Sequence, residues 1–322
     1  MDSMNRKSQE LGKPPPKKAT TGLRRIYSVC MTRILSILIA LLVTGCKDSG
    51  PTEILSATSK VDSNGEIPST PSVFWPLTEK VLVGPRPDQN LVETLKNLGV
   101  QKVVSVDALP PEASLWGNAI QVRHLPLGYR SISRQDQLRL AQELSKGNGK
   151  IYIHCHHGKH RAPAAALTAL RSLGQLNPSE ANEWLDRCGV AYEGLRTVVA
   201  EAMAAESHQI ESAMPLEVTC PTKTLSRLMA EVDDVWDRLK KVPSPDDPNA
   251  QTQPEDASQL VDLLRLASTT AGPVEAEYHQ QMKAAVDLAN QLEIRVRAGE
   301  SAAPIRAALR KSCRSCHQSF RD

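Results

Sequence analysis

The chain has 322 residues, and 39 Lys and Arg against 36 Asp and Glu leave a formal net charge of only +3. So balanced a charge gives no electrostatic footprint for nucleic acid as a partner, and seven cysteines are too few for a disulfide scaffold. Beyond an N-terminal leader, enough chain remains for two modest domains.

The leader comes first. Arg24, Arg25 and Arg33 precede an apolar run from Ile34 to Val43, which leads into Val43-Thr44-Gly45-Cys46. About ten apolar residues are too few to span a bilayer but suit the core of a signal peptide. Small residues followed by Cys resemble a bacterial lipoprotein box, which implies loss of residues 1–45 and lipidation of Cys46. The expectation is an exported, periplasmic protein held at a membrane by its lipid. An ordinary short anchor and a cleaved soluble signal are the alternatives. Residues 46–72, rich in Ser, Thr, Pro and Gly without a sustained apolar period, are expected to be a tether.

Strand and helix patterns alternate from 73 to 206. Strands are predicted at 80–83, 102–106, 120–124 and 150–154, with helices near 89–98, 134–146, 163–174, 178–187 and 193–206. That order predicts an α/β domain whose mainly parallel sheet is flanked by helices.

The last of these strands runs into His154-Cys155-His156-His157-Gly158-Lys159-His160-Arg161, and Ala162-Pro163 then opens a helix. A cysteine and an arginine bracketing five residues between a strand and a helix form the phosphate loop of Cys-dependent phosphatases. Successive N–H groups of residues 156–160 then point inward at the helix N-terminus and cradle a phosphate dianion. The same field favours Cys155 as a thiolate. Arg161 clamps two phosphoryl oxygens with its fork, and Pro163 suits a first turn, where no N–H is needed. A metal held by His154, His156, His157 and His160 is the competing reading.

Residues 73–206 resemble the dual-specificity and tyrosine-phosphatase-like family, also in Leu82-Val83-Gly84-Pro85-Arg86-Pro87, which looks like its substrate-side segment. The resemblance implies a nucleophilic Cys155 acting with Arg161 on a phosphorylated protein or a small phosphoester. The chain departs from the pattern twice. Ala162 stands where Ser or Thr usually follows the arginine, and Arg130 stands where the general acid is expected. Asp107, at the end of a neighbouring strand, is the substitute acid, or else a turn residue. Without an acid, hydrolysis is restricted to good leaving groups such as aryl phosphates. The domain is then an enzyme of that kind or a phosphate-binding module without turnover.

Residues 207–219 are expected to be a linker. After it every periodic segment is helical, with apolar stripes through Leu225, Leu228, Met229, Val232; through Leu260, Leu263, Leu264; through Met282, Ala285, Ala289, Leu292; and through Ile305, Leu309, Cys313, Cys316. A Pro-rich segment, Gly272-Pro273 and Gly299 punctuate them, so 220–322 is expected to be an antiparallel four-helix bundle.

Its last helix carries Cys313-Arg314-Ser315-Cys316-His317, with Phe320 and Arg321 following. Thiols at i and i+3 share a helix face and reach both vinyl groups of one porphyrin, and the next residue offers its imidazole to iron. A structural zinc site would need a second ligand pair, and a thioredoxin-like pair would open a helix rather than close one. Residues 220–322 resemble the cytochrome c-prime family of class II c-type cytochromes. The resemblance implies covalent haem c on Cys313 and Cys316 with His317 as the proximal ligand of the iron. Met229 is either the distal ligand or plain core packing. In its absence the iron would be open to nitric oxide or carbon monoxide. A redox partner or a diatomic gas is the partner implied. Cys188 and Cys220 remain, as a disulfide or as free thiols, and one of them is a candidate resolving thiol if phosphatase activity follows redox state. The competing expectation is two domains that share only an anchor.

Overall fold

The computed structural model describes residues 74–240, 253–270 and 276–320. The leader, Cys46 and the tether lie outside the described residues.

Five strands make one sheet: β1 (Trp75–Pro76), β2 (Val81–Gly84), β3 (Val100–Ser105), β4 (Gln121–His124) and β5 (Lys150–His154). Their order is β1-β2-β5-β3-β4, and every neighbouring pair is parallel except the short antiparallel edge β1–β2. The inner strands are apolar runs rather than alternating ones because both faces are covered. Val83, Val104, Ile151 and Ile153 face one core, while Leu82, Val103 and Tyr152 face the other.

The second of these cores is closed by α1 (Gln89–Asn97), through Leu91, Val92 and Leu95. The first is closed by α2 (Arg134–Ser145), α3 (Arg161–Ser172), α4 (Pro178–Cys188) and α5 (Glu193–Glu201). Local chemistry fixes their starts. Asp88, Ser133 and Asn177 each accept a backbone N–H in the first turn of α1, α2 and α4. The predicted helix over 193–206 stops instead at Glu201. Ala202 turns extended, its carbonyl accepts from Arg171, and Ala205 N–H donates to the Ser172 carbonyl.

The expected linker 207–219 is packed structure. It begins with a short helix, α6 (Ser207–Glu211), whose Ile210 joins Leu216 in the first core. The Gln142 amide donates to the carbonyls of Ile210, Glu211 and Ala213, and Glu217 bridges to His124 at the sheet edge. These main-chain partners are supplied from far along the chain, which is why composition alone suggested a linker.

Four helices follow: α7 (Leu225–Leu239), α8 (Gln253–Thr270), α9 (Ala276–Arg297) and α10 (Ala303–Phe320). They share one core built from the predicted stripes, including Leu228, Val232, Leu260, Leu264, Met282, Ala289, Leu292 and Leu309. Burying side chains of this size contributes about 1.5–3 kcal/mol each. One helix departs from the expected amphipathic form. α8 also buries Asp256, Ser258, Asp262 and Arg265, because its polar side lies on the α/β domain.

Candidate functional site

Parallel strands send their C-terminal ends to one edge, where β2, β3 and β5 deliver the segments after Gly84, Ser105 and His154. Residues 155–160 form the loop between β5 and α3. Gly158 is required in it, with φ of 76° and a backbone so close to Gly84 and Pro85 that a Cβ would collide with both. Arg86 N–H donates to the His156 carbonyl at 3.0 Å and ties the two loops together. The N–H groups of residues 156–160 have no hydrogen-bond acceptor among the described residues. Such a row at a helix start is the kind of arrangement that suits an anion.

The histidines of the loop add shape rather than charge. Burial pushes His154 down to about 4, and His156 and His160 to about 3, so all three are neutral at pH 7. Ala191 N–H donates to His160 Nδ1, and Tyr192 stacks edge-on against the same ring. Among the described residues no group of three His, Cys, Asp or Glu is arranged to hold a metal, so the metal alternative finds no geometric support there.

Cys155 and Arg161 are brought together at the loop, both buried, at 3% and 1% exposure. The Arg161 guanidinium donates to the Leu127 carbonyl at 3.1 Å and lies 4.4 Å from the Tyr129 ring centroid. Asp107 is also at the site, but as a counter-ion. It contacts Arg86 at 3.3 Å, Arg161 at 3.4 Å and Arg265 at 3.1 Å. Burial by itself raises its pKa. The charge and hydrogen bonds of Arg265, and then the charge of Arg161, hold it well below the usual carboxylate range. A carboxylate kept ionised in this way is poorly suited to give a proton to a leaving group.

Three residues that sequence reasoning missed come from α8. Asp262 lies 2.8 Å from Arg161, Arg265 binds Asp107, and Asp256 lies 2.6 Å from Arg130. Ser258 and Glu293 of α9 both hydrogen-bond the Tyr192 hydroxyl. The only signal in the sequence was negative: Asp262 and Arg265 sit next to the apolar stripe of α8, where a strictly one-faced helix would be solvated.

Elsewhere in the bundle, Cys316 and His317 line a cavity of about 440 Å³ with Met229, Met282 and Phe320. An adjoining cavity of about 250 Å³ is lined by Cys313, Cys316, His317, Met229, Leu260 and Leu264. The two thiols are unpaired, so the set holds two free thiols, an imidazole and a thioether around shared space. The leftover thiols are unpaired as well. Burial pushes Cys188 up to about 12, which leaves it a poor resolving thiol, and the Cys220 thiol donates to the His124 carbonyl.

No family model matches the chain, and no curated protein does. Solved structures similar to part of it include TpbA of P. aeruginosa, at 21% identity over 40% of this chain and 91% of that one, with a TM-score of 0.33. A second TpbA structure, in complex with pTyr, gives 20%, 40%, 90% and 0.32. PTPMT1 is 17% identical over 40% of this chain and 92% of its own, with a TM-score of 0.34. Each of these similarities covers about 40% of this chain. At such identities the functional argument rests on this chain's own residues.

Proposed function

We propose that the α/β domain is a phosphatase-like, Cys-dependent site for phosphomonoesters, carried on the same chain as a c-type haem bundle. The observation that carries the first half is the row of unpaired N–H groups at residues 156–160, closed by Cys155 at one end and Arg161 at the other. In this reading the Cys155 sulfur attacks phosphorus, the P–O bond to the leaving group breaks, and Arg161 with the loop N–H groups holds the charge on the equatorial oxygens. Water then hydrolyses the cysteinyl phosphate and regenerates the thiol. Asp107 positions Arg161 and Arg265 rather than donating a proton. Phosphotyrosine-like aryl esters are therefore the substrate class, since their leaving groups need no acid.

Binding without turnover is the second reading, favoured by Arg130, which stands in the acid's expected place and is spent on Asp256. Hydrolysis of para-nitrophenyl phosphate by a chain whose Cys155 is accessible, with loss in Cys155→Ser, supports the enzyme. Binding of orthovanadate with no hydrolysis supports the module.

For the bundle, the two thiols, His317 and Met229 fit haem c by their chemistry and by the cavities they share. Cys313 and Cys316 would hold the porphyrin covalently, His317 would ligate the iron, and Met229 would face it from α7. When bound, the group supplies one-electron redox chemistry or a site for a diatomic gas. The test is whether haem in the protein, produced with export and cytochrome maturation, resists acid–acetone extraction and is lost in Cys313→Ala/Cys316→Ala. Export with a lipid on Cys46 belongs to the same reading, and mass spectrometry of the mature N-terminus tests it.

A further inference from the structure

We propose that α8 is a removable plug of the phosphate loop, in which the Asp262 carboxylate occupies the Arg161 fork that a phosphoryl group needs. The proposal rests on the reading of residues 155–161 as a phosphate site.

The fork is engaged from both sides. Arg161 Nη1 lies 2.8 Å from Asp262 Oδ2, and Nη2 donates to Asp262 Oδ1 at 3.4 Å. A carboxylate offers two oxygens in a plane, the geometry with which a guanidinium also grips two oxygens of a phosphoryl group. Both of its oxygens face guanidinium groups, because Arg265 donates to Oδ1 at 3.0 Å. Neither is turned toward a leaving group as a proton donor's would be. With α8 in place, Cys155 is 3% exposed, too little for a phosphoester to approach the sulfur.

The charges favour an exchange. Arg86, Arg161 and Arg265 stand against Asp107 and Asp262 in the docked state. Withdrawing α8 removes one charge of each sign and leaves Arg86 and Arg161 against Asp107, beside unpaired N–H groups. The pocket that remains keeps one net positive charge and a fork freed of Asp262, held by the Leu127 carbonyl and Asp107, to which an anion can bind.

One of the two residues that break the phosphatase pattern, Arg130, helps seat the plug. Arg130 pairs with Asp256 at 2.6 Å, and Asp107 receives Arg265 through two contacts of 3.1 and 3.2 Å. Tyr192 adds its hydroxyl to Ser258 and Glu293. Contacts that are so largely polar are the kind that part and re-form, because each charged group regains water on opening. The opposite side of α8 puts Leu260 and Leu264 on the cavity of Cys313 and Cys316. One helix therefore touches both sites.

The test reads access to Cys155 without requiring turnover. The full chain is treated with iodoacetamide, and alkylation of Cys155 is followed by peptide mass spectrometry in wild type, Asp262→Ala and Arg130→Glu. The plug predicts alkylation faster by at least about tenfold in both variants, as expected when a closing contact is lost. Arg130→Lys, which keeps the charge facing Asp256, should keep the slow rate. Arg130→Glu leaves the loop itself untouched, so it guards against damage caused by Asp262→Ala. Equal rates in wild type and both variants overturn the plug. Millimolar orthophosphate should slow alkylation in Asp262→Ala. If it does not, while the variants still react fast, α8 does cover Cys155 and it is the phosphate-site reading that falls. Asp262→Asn should raise the aryl-phosphatase rate. A fall, with loss of the acid-dependent limb of its pH profile, would make Asp262 a proton donor and overturn the proposal.

Discussion

Two cysteine motifs stand out in this chain, and the protein treats them in opposite ways. At Cys155 the main chain builds a rigid receptor, and the fold then covers it with its own carboxylates until nucleophile and arginine are almost wholly buried. At Cys313 and Cys316 the helix builds no receptor and only presents side chains. The thiols are half-buried, and His317 lines open cavities. The difference follows from where the recognition resides. A guanidinium must be paired when it is buried, and Arg161 takes the carboxylates of Asp107 and Asp262 as its partners. A pair of neutral thiols on a helix has no charge to neutralise and leaves a cavity beside it.

The comparison is broken most decisively by turnover. In the Asp262→Ala background, Cys155→Ser should remove all measurable hydrolysis of an aryl phosphate, while Cys313→Ala/Cys316→Ala should leave hydrolysis and lose only covalent haem. Loss of both functions in either variant would mean that the motifs are not separable.

Next in size is the buried ion cluster. Arg161→Ala leaves Asp107 and Asp262 with Arg265 as their one shared partner, and removing one member of a buried ion cluster costs about 3–5 kcal/mol. Denaturant unfolding of the full chain, followed by tryptophan fluorescence, should show it. Asp262→Ala should cost clearly less, because Asp107 continues to neutralise Arg161.

Acid should then weaken the region of residues 154–160 before the helix of Cys313 and Cys316. The folded-state pKa values of His154, His156 and His160 lie near 4, 3 and 3, below the 6.5 of an unperturbed histidine. Between those limits the unfolded chain binds more protons than the folded one. The contribution of these residues is therefore complete above pH 6.5 and is lost as pH falls toward 4. Asp262, raised mainly by burial, works in the other direction, so the net effect is a moderate decline. A melting temperature that drops by several degrees between pH 7 and pH 4.5, and less in His154→Phe, is the expected result.

The smallest effect belongs to Met229. It packs against the bundle core while lining both cavities, so Met229→Leu should scarcely change stability. In the haem-loaded protein it should abolish any thioether–iron band in the oxidised absorbance spectrum. An unchanged spectrum would make Met229 a packing residue only.

Much of the fold could be read directly. The parallel strands announce themselves as β-branched runs, and Asp88, Ser133 and Asn177 mark three helix starts by an ordinary capping rule. The Cys155-to-Arg161 spacing between a strand and a helix is a local feature, and so is the i, i+3 pairing of Cys313 and Cys316. What lay hidden was pairing across long stretches of sequence. Nothing in the composition of 207–219 says that Gln142 will take up its carbonyls. Nothing near Asp107 says that Arg265, 158 residues away, will hold it ionised. Of the two readings of Asp107, acid or turn residue, only the local contact with Ala108 N–H lay within reach of its neighbours.

The elements, the Cys155-to-Arg161 spacing and the i, i+3 pair of Cys313 and Cys316 were legible in the chain alone, because each follows from spacings of a few residues along one segment. Tertiary structure alone decided what fills the loop. A buried guanidinium is neutralised by whichever carboxylate packing brings within about 3–4 Å of it, and here packing brought Asp262 of α8.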